Sequence, residues 1–152
     1  MTKAQVVEAP RPYPGIKLAK IAAIRAHAVV ASSAAVQISL IRTGAPSKTF
    51  AQTAKSIGLA RAELAKKLGL SPRTIASRRT RLTSEETEKT LRAKHLFEQA
   101  ASVFGSEEEA RRWLTNSAYG LEGQRPIDLL DTEPGAMQVR NYLDAIEYGN
   151  YW

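Results

Sequence analysis

The sequence predicts an all-α fold. Three observations carry that expectation. Apolar residues recur at three- and four-residue spacing in segment after segment. Hydroxyl or proline starts and glycine stops bracket those segments. Alternation of apolar and polar residues over four or more positions is almost absent, so no strand competes. The chain has 152 residues, enough for one ordinary domain or two small subdomains sharing a core. At 43% hydrophobic it can fill such a core.

The elements follow in order. Pro10, Pro12 and Pro14 forbid a continuous helix near the start, so residues 1–15 are expected to form a flexible or extended arm. Ile16, Ala19, Ala23, Ala26 and Val30 predict a helix over Ile16–Ala31 with Lys17, Lys20 and Arg25 on its basic face. A short helix around Ala34–Ile41 should stop near Gly44, with Pro46 behind it. Ser47 or Thr49 can cap the next, which runs to Ile57 and closes at Gly58. Ala60–Leu68 is expected to be helical and to end at Gly69. Ser71 then caps a helix with Pro72 at its first position, expected to reach Arg81.

Thr83 with Glu86 makes a capping box that opens a long helix, with Ala93, Phe97, Ala100 and Phe104 down one side and Gly105 at its end. Ser106 with Glu109 reads as a second capping box, opening a helix to about Thr115 with Trp113 and Leu114 inward. The Glu107–Glu109 run suits a helix N-terminus, where the backbone dipole favours it. Asn116–Gln124 should be a loop and Arg125–Leu130 a short helical turn. Thr132 should cap a last helix over Pro134–Glu147 that buries Ala136, Val139, Leu143 and Ile146.

Charge divides the chain. Residues 1–81 hold 15 Lys and Arg against Glu8 and Glu63, whereas residues 82–152 hold 7 basic residues against 13 acidic ones. A positive patch is the footprint of something that meets a polyphosphate, and an acidic segment would repel the same polymer. The expected organisation is therefore an arm (1–15), a basic helical module (16–82) and a second helical domain with an aromatic tail (83–152). Cysteine is absent, which excludes disulfides, thiolate zinc sites and cysteine nucleophiles and is compatible with the cytoplasm. No apolar run approaches the roughly 20 residues of a membrane-spanning helix. The start lacks the pattern of an export signal.

Within the basic module, Ala60–Arg81 has the spacing of a helix-turn-helix. The first helix braces, Gly69 reverses the chain, Leu64, Leu70 and Ile75 lock the angle, and the second helix enters the major groove. Ser71, Arg73, Thr74 and Ser77 are the candidates for base edges, with Arg73 able to grip a guanine in bidentate fashion. Arg78, Arg79 and Arg81 are the candidates for phosphates. The bland alternative is a solvated basic helix.

No enzyme signature competes. His27 and His95 lie in different modules, Asp128, Asp131 and Glu133 lack the loop spacing of a calcium site, and Gly120 and Gly123 follow no strand. No cofactor is expected.

Eight of the ten aromatic residues fall between Phe97 and Trp152. Phe97, Phe104 and Trp113 have helical core spacing. The tail Tyr148-Gly149-Asn150-Tyr151-Trp152 has no such pattern, so its aromatics either fold back or anchor an interface. The second half also carries a cluster of motifs: Phe104-Gly105, Ala110-Arg111-Arg112-Trp113-Leu114, Gly120-Leu121-Glu122-Gly123, Arg125-Pro126-Ile127-Asp128-Leu129-Leu130, Thr132-Glu133-Pro134-Gly135-Ala136 and Ile146-Glu147-Tyr148-Gly149.

These motifs resemble the C-terminal toxin-binding domain of Xre/MbcA/ParS-type antitoxins, and the upstream helix-turn-helix lies where that family has its Xre-like module. The resemblance covers roughly Gly44 to Tyr151. It implies an antitoxin of a type II toxin-antitoxin pair whose partner is a RES-domain toxin that consumes NAD or transfers ADP-ribose. It further implies that the C-terminal domain occludes the toxin's active site and that the pair represses its own promoter. The candidate toxin contacts are Arg125, Tyr142, Tyr148, Asn150, Tyr151 and Trp152; Arg125 can instead pair locally with Asp128. Promoter duplex DNA and a second copy of the chain are the other expected partners, since operator half-sites call for a dimer. The alternative is a stand-alone transcription regulator whose second half dimerises or senses a ligand.

Overall fold

The computed structural model describes residues 34–149. The expected arm, the expected helix Ile16–Ala31 and residues Asn150, Tyr151 and Trp152 lie outside the described residues. Seven α-helices run in order: α1 (Ala34–Thr43), α2 (Lys48–Ile57), α3 (Arg61–Lys67), α4 (Pro72–Ser77), α5 (Ser84–Phe104), α6 (Glu107–Thr115) and α7 (Glu133–Tyr148). Two 3-10 turns, Tyr119–Leu121 and Pro126–Leu129, lie between α6 and α7. Among the described residues there is no strand, only an isolated antiparallel bridge between Pro46 and Arg81.

The long helix α5 is the spine. Helices α1, α2, α6 and α7 all pack against it, and a single core cluster runs from Ala45 through Leu96 and Ala100 to Ile146. Its start follows from local chemistry: the Thr83 hydroxyl accepts from the Glu86 backbone N–H, and the Glu86 carboxylate accepts from the Thr83 N–H at 2.8 Å. Gly105 ends it with φ +80°, in the left-handed region. The caps expected at Ser71 and Thr132 are also made, on the Thr74 and Gly135 N–H groups respectively.

The structure corrects four local expectations. Ser47 precedes α2 but makes no side-chain cap; its hydroxyl donates to the Arg79 carbonyl instead. Ser106 accepts from the Glu109 N–H, which is half of the expected box. The loop expected over Asn116–Gln124 holds a 3-10 turn, Tyr119–Leu121, whereas the short turn expected over Arg125–Leu130 is made, as the 3-10 helix Pro126–Leu129. Most consequential, the helix that begins at Pro72 stops at Ser77 rather than reaching Arg81. Residues beyond it are drawn into a non-local pairing: the Ser47 N–H donates to the Thr80 carbonyl at 2.9 Å and the Leu82 N–H to the Ala45 carbonyl at 2.8 Å. Arginine favours helix locally, but these buried-side hydrogen bonds to the α1–α2 loop take the backbone first.

Candidate nucleic-acid and partner-binding surfaces

Helices α3 and α4 form the bihelical unit expected from the sequence. Leu64, Leu68 and Ile75 are fully buried, and half-buried Leu70 packs against the same cluster. Gly69 takes φ +66°, which the tight reversal between the helices requires. Arg61 on α3 reaches the Ile75 carbonyl, tying the first helix to the second.

This unit presents Ser71, Arg73, Thr74 and Ser77 to solvent. The Ser71 hydroxyl holds the Thr74 N–H, and the Ser77 hydroxyl donates back to the Thr74 carbonyl at 2.8 Å, which leaves its lone pairs open to a donor. Arg73 is exposed and has no ion pair among the described residues. It stands on the outer face of α4, as a base-reading side chain must.

The remaining arginines separate into different roles. Arg78 was expected at a phosphate. Its guanidinium is instead occupied by Glu86: Nε lies 3.1 and 3.0 Å from the two carboxylate oxygens, and Nη2 lies 3.0 Å from Oε1. Glu86 is only 6% exposed. Burial alone would raise its carboxyl pKa, but the hydrogen bonds from Arg78 and the Thr83 N–H outweigh that and hold it below the ordinary glutamate value. Arg81 is exposed and donates to the Gly44 carbonyl at 2.7 Å. Arg79 is exposed, and its side chain has no partner among the described residues.

The two halves manage charge differently. From Ala34 to Arg81 there are ten Lys and Arg against Glu63, and among them only Lys67 and Arg78 form ion pairs with described residues. In the second half every basic side chain is paired within that half. Lys89, Lys94, Arg111 and Arg112 lie within four residues of their acids along a helix, Arg125 meets Asp128, and Arg92 and Arg140 share Glu133. The positive charge near α4 is therefore available to an outside polyanion, while the cations of the second half are taken up by its own more numerous acids.

Two further ties join the first half to elements beyond α5. Lys67 on α3 pairs with Asp128 in the second 3-10 turn. Arg111 on α6 donates from Nε to the Ser56 carbonyl at 2.6 Å, at the C-terminal end of α2, and its guanidinium lies 5.9 Å from the Phe97 ring centroid.

The candidate partner contacts divide as well. Arg125 binds Asp128 at 2.6 Å, so the local pair is made. Burial would raise the Asp128 carboxyl, but hydrogen bonds from Lys67 and Arg125 outweigh it and lower the pKa. Tyr142 is half-buried and packs at 6.1 Å from Trp113, which lies 5.4 Å from Phe104. A Cβ at Gly120 would come within 2.1 Å of the Tyr142 ring. Tyr142 is thus a packing residue that Gly120 was needed to admit. The Trp113 indole Nε1 is buried with no hydrogen-bond partner among the described residues. Tyr148 is 65% exposed at the end of α7, and Asn150, Tyr151 and Trp152 lie outside the described residues. Sequence reasoning missed Lys67 as the partner of Asp128 and Glu86 as more than a cap. Glu86 was detectable as a carboxylate within reach of an arginine cluster, whereas the Lys67 contact has no local signal.

Comparison with known proteins bears on both surfaces. Residues 36–93 match the family described as the antitoxin Xre-like helix-turn-helix domain. Residues 99–149 match the antitoxin Xre/MbcA/ParS C-terminal toxin-binding domain. The two matches meet inside α5. An antitoxin Xre of Yersinia enterocolitica serotype O:8 is 32% identical over 93 residues, covering 59% of this chain and 63% of that protein. An antitoxin Xre of Pseudomonas putida KT2440 is 35% identical over 80 residues, 51% of this chain and 50% of its own. One from Photorhabdus laumondii is 31% identical over 70 residues, 45% and 47% respectively. The matched stretch spans from about half to somewhat under two thirds of these curated relatives' length.

Proposed function

The chain belongs to the Xre/MbcA/ParS antitoxin family, and from that premise we propose that it acts in a type II toxin-antitoxin pair by two separate binding events. The first is to its own promoter. Helix α4 lies in the major groove, Arg73, Thr74 and Ser77 meet base edges, and Arg79 and Arg81 meet phosphates. Arg78 supports that arrangement through Glu86 rather than touching DNA. A homodimer places two α4 helices on half-sites about one helical turn apart.

The second event is capture of a RES-domain toxin that consumes NAD or transfers ADP-ribose. The half from α5 onward, with Tyr148 and the Asn150-Tyr151-Trp152 tail, lies over the toxin's active site and blocks substrate entry. The antitoxin performs no reaction of its own. The complex on the promoter then represses transcription of both genes.

The observation that carries this reading is the contrast in charge pairing: uncompensated cations around α4, and a second half, net acidic, whose cations are all paired internally. No described helix is long and apolar enough to cross a membrane. Co-expression with the product of the adjacent gene tests it. A stable co-purified complex and relief of growth arrest are expected; persistent arrest with no complex would overturn the reading.

A further inference from the structure

Helix α7 has an outward face unlike any other in the second half. Its inner side buries Ala136, Val139, Leu143 and Ile146. From Met137 to Tyr148, every residue that is exposed is uncharged: Met137, Gln138, Asn141 and Tyr148. Met137 is 49% exposed and Tyr148 65%. Met137, Asn141 and Tyr148 fall on one stripe about three turns long, opposite the buried side. Asp144 falls on the same stripe, between Asn141 and Tyr148, but is half-buried. Arg140 lies near Glu133, and Asp144 accepts from Gln99 Nε2 at 2.7 Å. By contrast, the exposed face of α6 carries Glu107, Glu108, Glu109 and Arg112.

A stripe whose exposed residues are uncharged, with methionine and tyrosine at its ends, has the composition of an interface centre, where charge is depleted and aromatic and methionine side chains are enriched. It also has the spacing of a helix laid into a groove. At its C-terminal end it runs directly into the Asn150-Tyr151-Trp152 segment of the sequence, and it lies wholly within the stretch that matches a toxin-binding domain. We infer that the outer stripe of α7, Met137, Asn141 and Tyr148, docks into an apolar-floored groove on the toxin, with Met137 as the anchor furthest from the tail. The inference rests on the antitoxin reading. It extends the contact surface three turns upstream of the tail that the sequence singles out.

The groove must offer an apolar pocket for Met137 and a hydrogen-bond partner for the Asn141 amide, because an unpaired amide in a closed interface is costly. A second copy of this chain as the occupant is a competing outcome. It would appear as a change in the oligomeric state of the chain alone.

The test uses the full chain and the purified product of the adjacent gene, with affinity read by titration calorimetry. Met137→Glu and Asn141→Arg should each weaken the complex at least tenfold. Met137→Leu should stay within about threefold, and so should Glu108→Gln on the charged face of α6. Thermal midpoint, sedimentation of the free chain and promoter binding should be unchanged in all four. If the wild type binds and both charged variants bind within twofold of it, the inference is overturned while the antitoxin reading stands. A charged variant that dissociates the free chain into monomers would also overturn it in favour of self-association. If the wild type does not bind, both fall.

Discussion

Glu86 joins two structures that the sequence separates: its carboxylate closes the cap of α5 and, through the same oxygens, grips Arg78 just past the end of α4. Helix α4 is thereby fastened to the spine of the molecule. The backbone that follows, Arg79 to Leu82, is stitched to Ala45–Ser47, and Thr87 accepts from the Ala45 N–H at 2.9 Å. The positioning of α4 and the stability of the fold pass through one acid.

Replacing either partner should therefore cost stability first. Glu86→Ala leaves a half-buried arginine without its acid and opens the cap, and should lower unfolding free energy by about 2–4 kcal/mol. Arg78→Ala strands a buried carboxylate and should cost about 2–3 kcal/mol. Urea unfolding of both singles and the double variant should show strong non-additivity. Additive losses would mean that the pair is not coupled.

The arginines proposed to meet DNA should behave otherwise. Arg73→Ala should relax sequence preference with little effect on random duplex. Arg79→Ala should weaken binding to every duplex and lower the salt slope by about one unit. Neither should move the unfolding midpoint, since neither side chain has a described partner. Equal losses on all sequences from both variants would contradict the assignment of Arg73 to base edges.

Acid should destabilise the fold in two stages. The pKa of half-buried His95 is lowered, chiefly by burial, with Glu98 opposing and Lys94 and Arg140 adding to the shift. Its unfolded state therefore takes a proton first, and stability falls as pH drops below about 6.5. Glu86 and Asp128 have lowered values, so their contribution is complete above the ordinary carboxylate range near about 4 and is lost as pH falls through the lower folded values. Thermal midpoints from pH 8 to pH 3 should show both declines. Glu86→Gln should flatten the second and leave the first.

Much of this was legible locally. Thr83 with Glu86, Ser71 with Pro72, Thr132 and the glycine stops each state their geometry within four residues, and the structure makes those caps. What could not be read depends on residues distant in sequence. The end of α4 is set by a pairing with residues some thirty positions earlier, against the helical preference of the arginines themselves. Arg78 reads as a phosphate ligand until the fold supplies Glu86, and Tyr142 as a surface anchor until Gly120 and Trp113 enclose it. Asp128 was read beside Arg125, but its second partner, Lys67, arrives from the other half of the chain.

Two glycines should prove unequal. A Cβ at Gly135 would lie 2.2 Å from the Leu129 carbonyl oxygen, which is backbone and cannot turn aside. Gly135→Ala should cost about 2–3 kcal/mol. At Gly120 the obstacle is the Tyr142 ring, which can shift. Gly120→Ala should cost about 1–2 kcal/mol, and a Tyr142→Leu background should recover part of it. Urea unfolding of the three variants decides whether the order holds.

The central claim is that DNA and partner occupy separate surfaces of one chain. Fluorescence anisotropy of a labelled promoter fragment, followed by addition of the adjacent gene product, addresses it most directly. The account predicts that the wild type binds the fragment and that the partner then joins the same particle. A chain carrying Arg73→Ala and Arg79→Ala should lose the DNA yet hold the partner with unchanged affinity. Loss of the partner in that double variant, or failure of the wild type to bind the fragment at low salt, would contradict it.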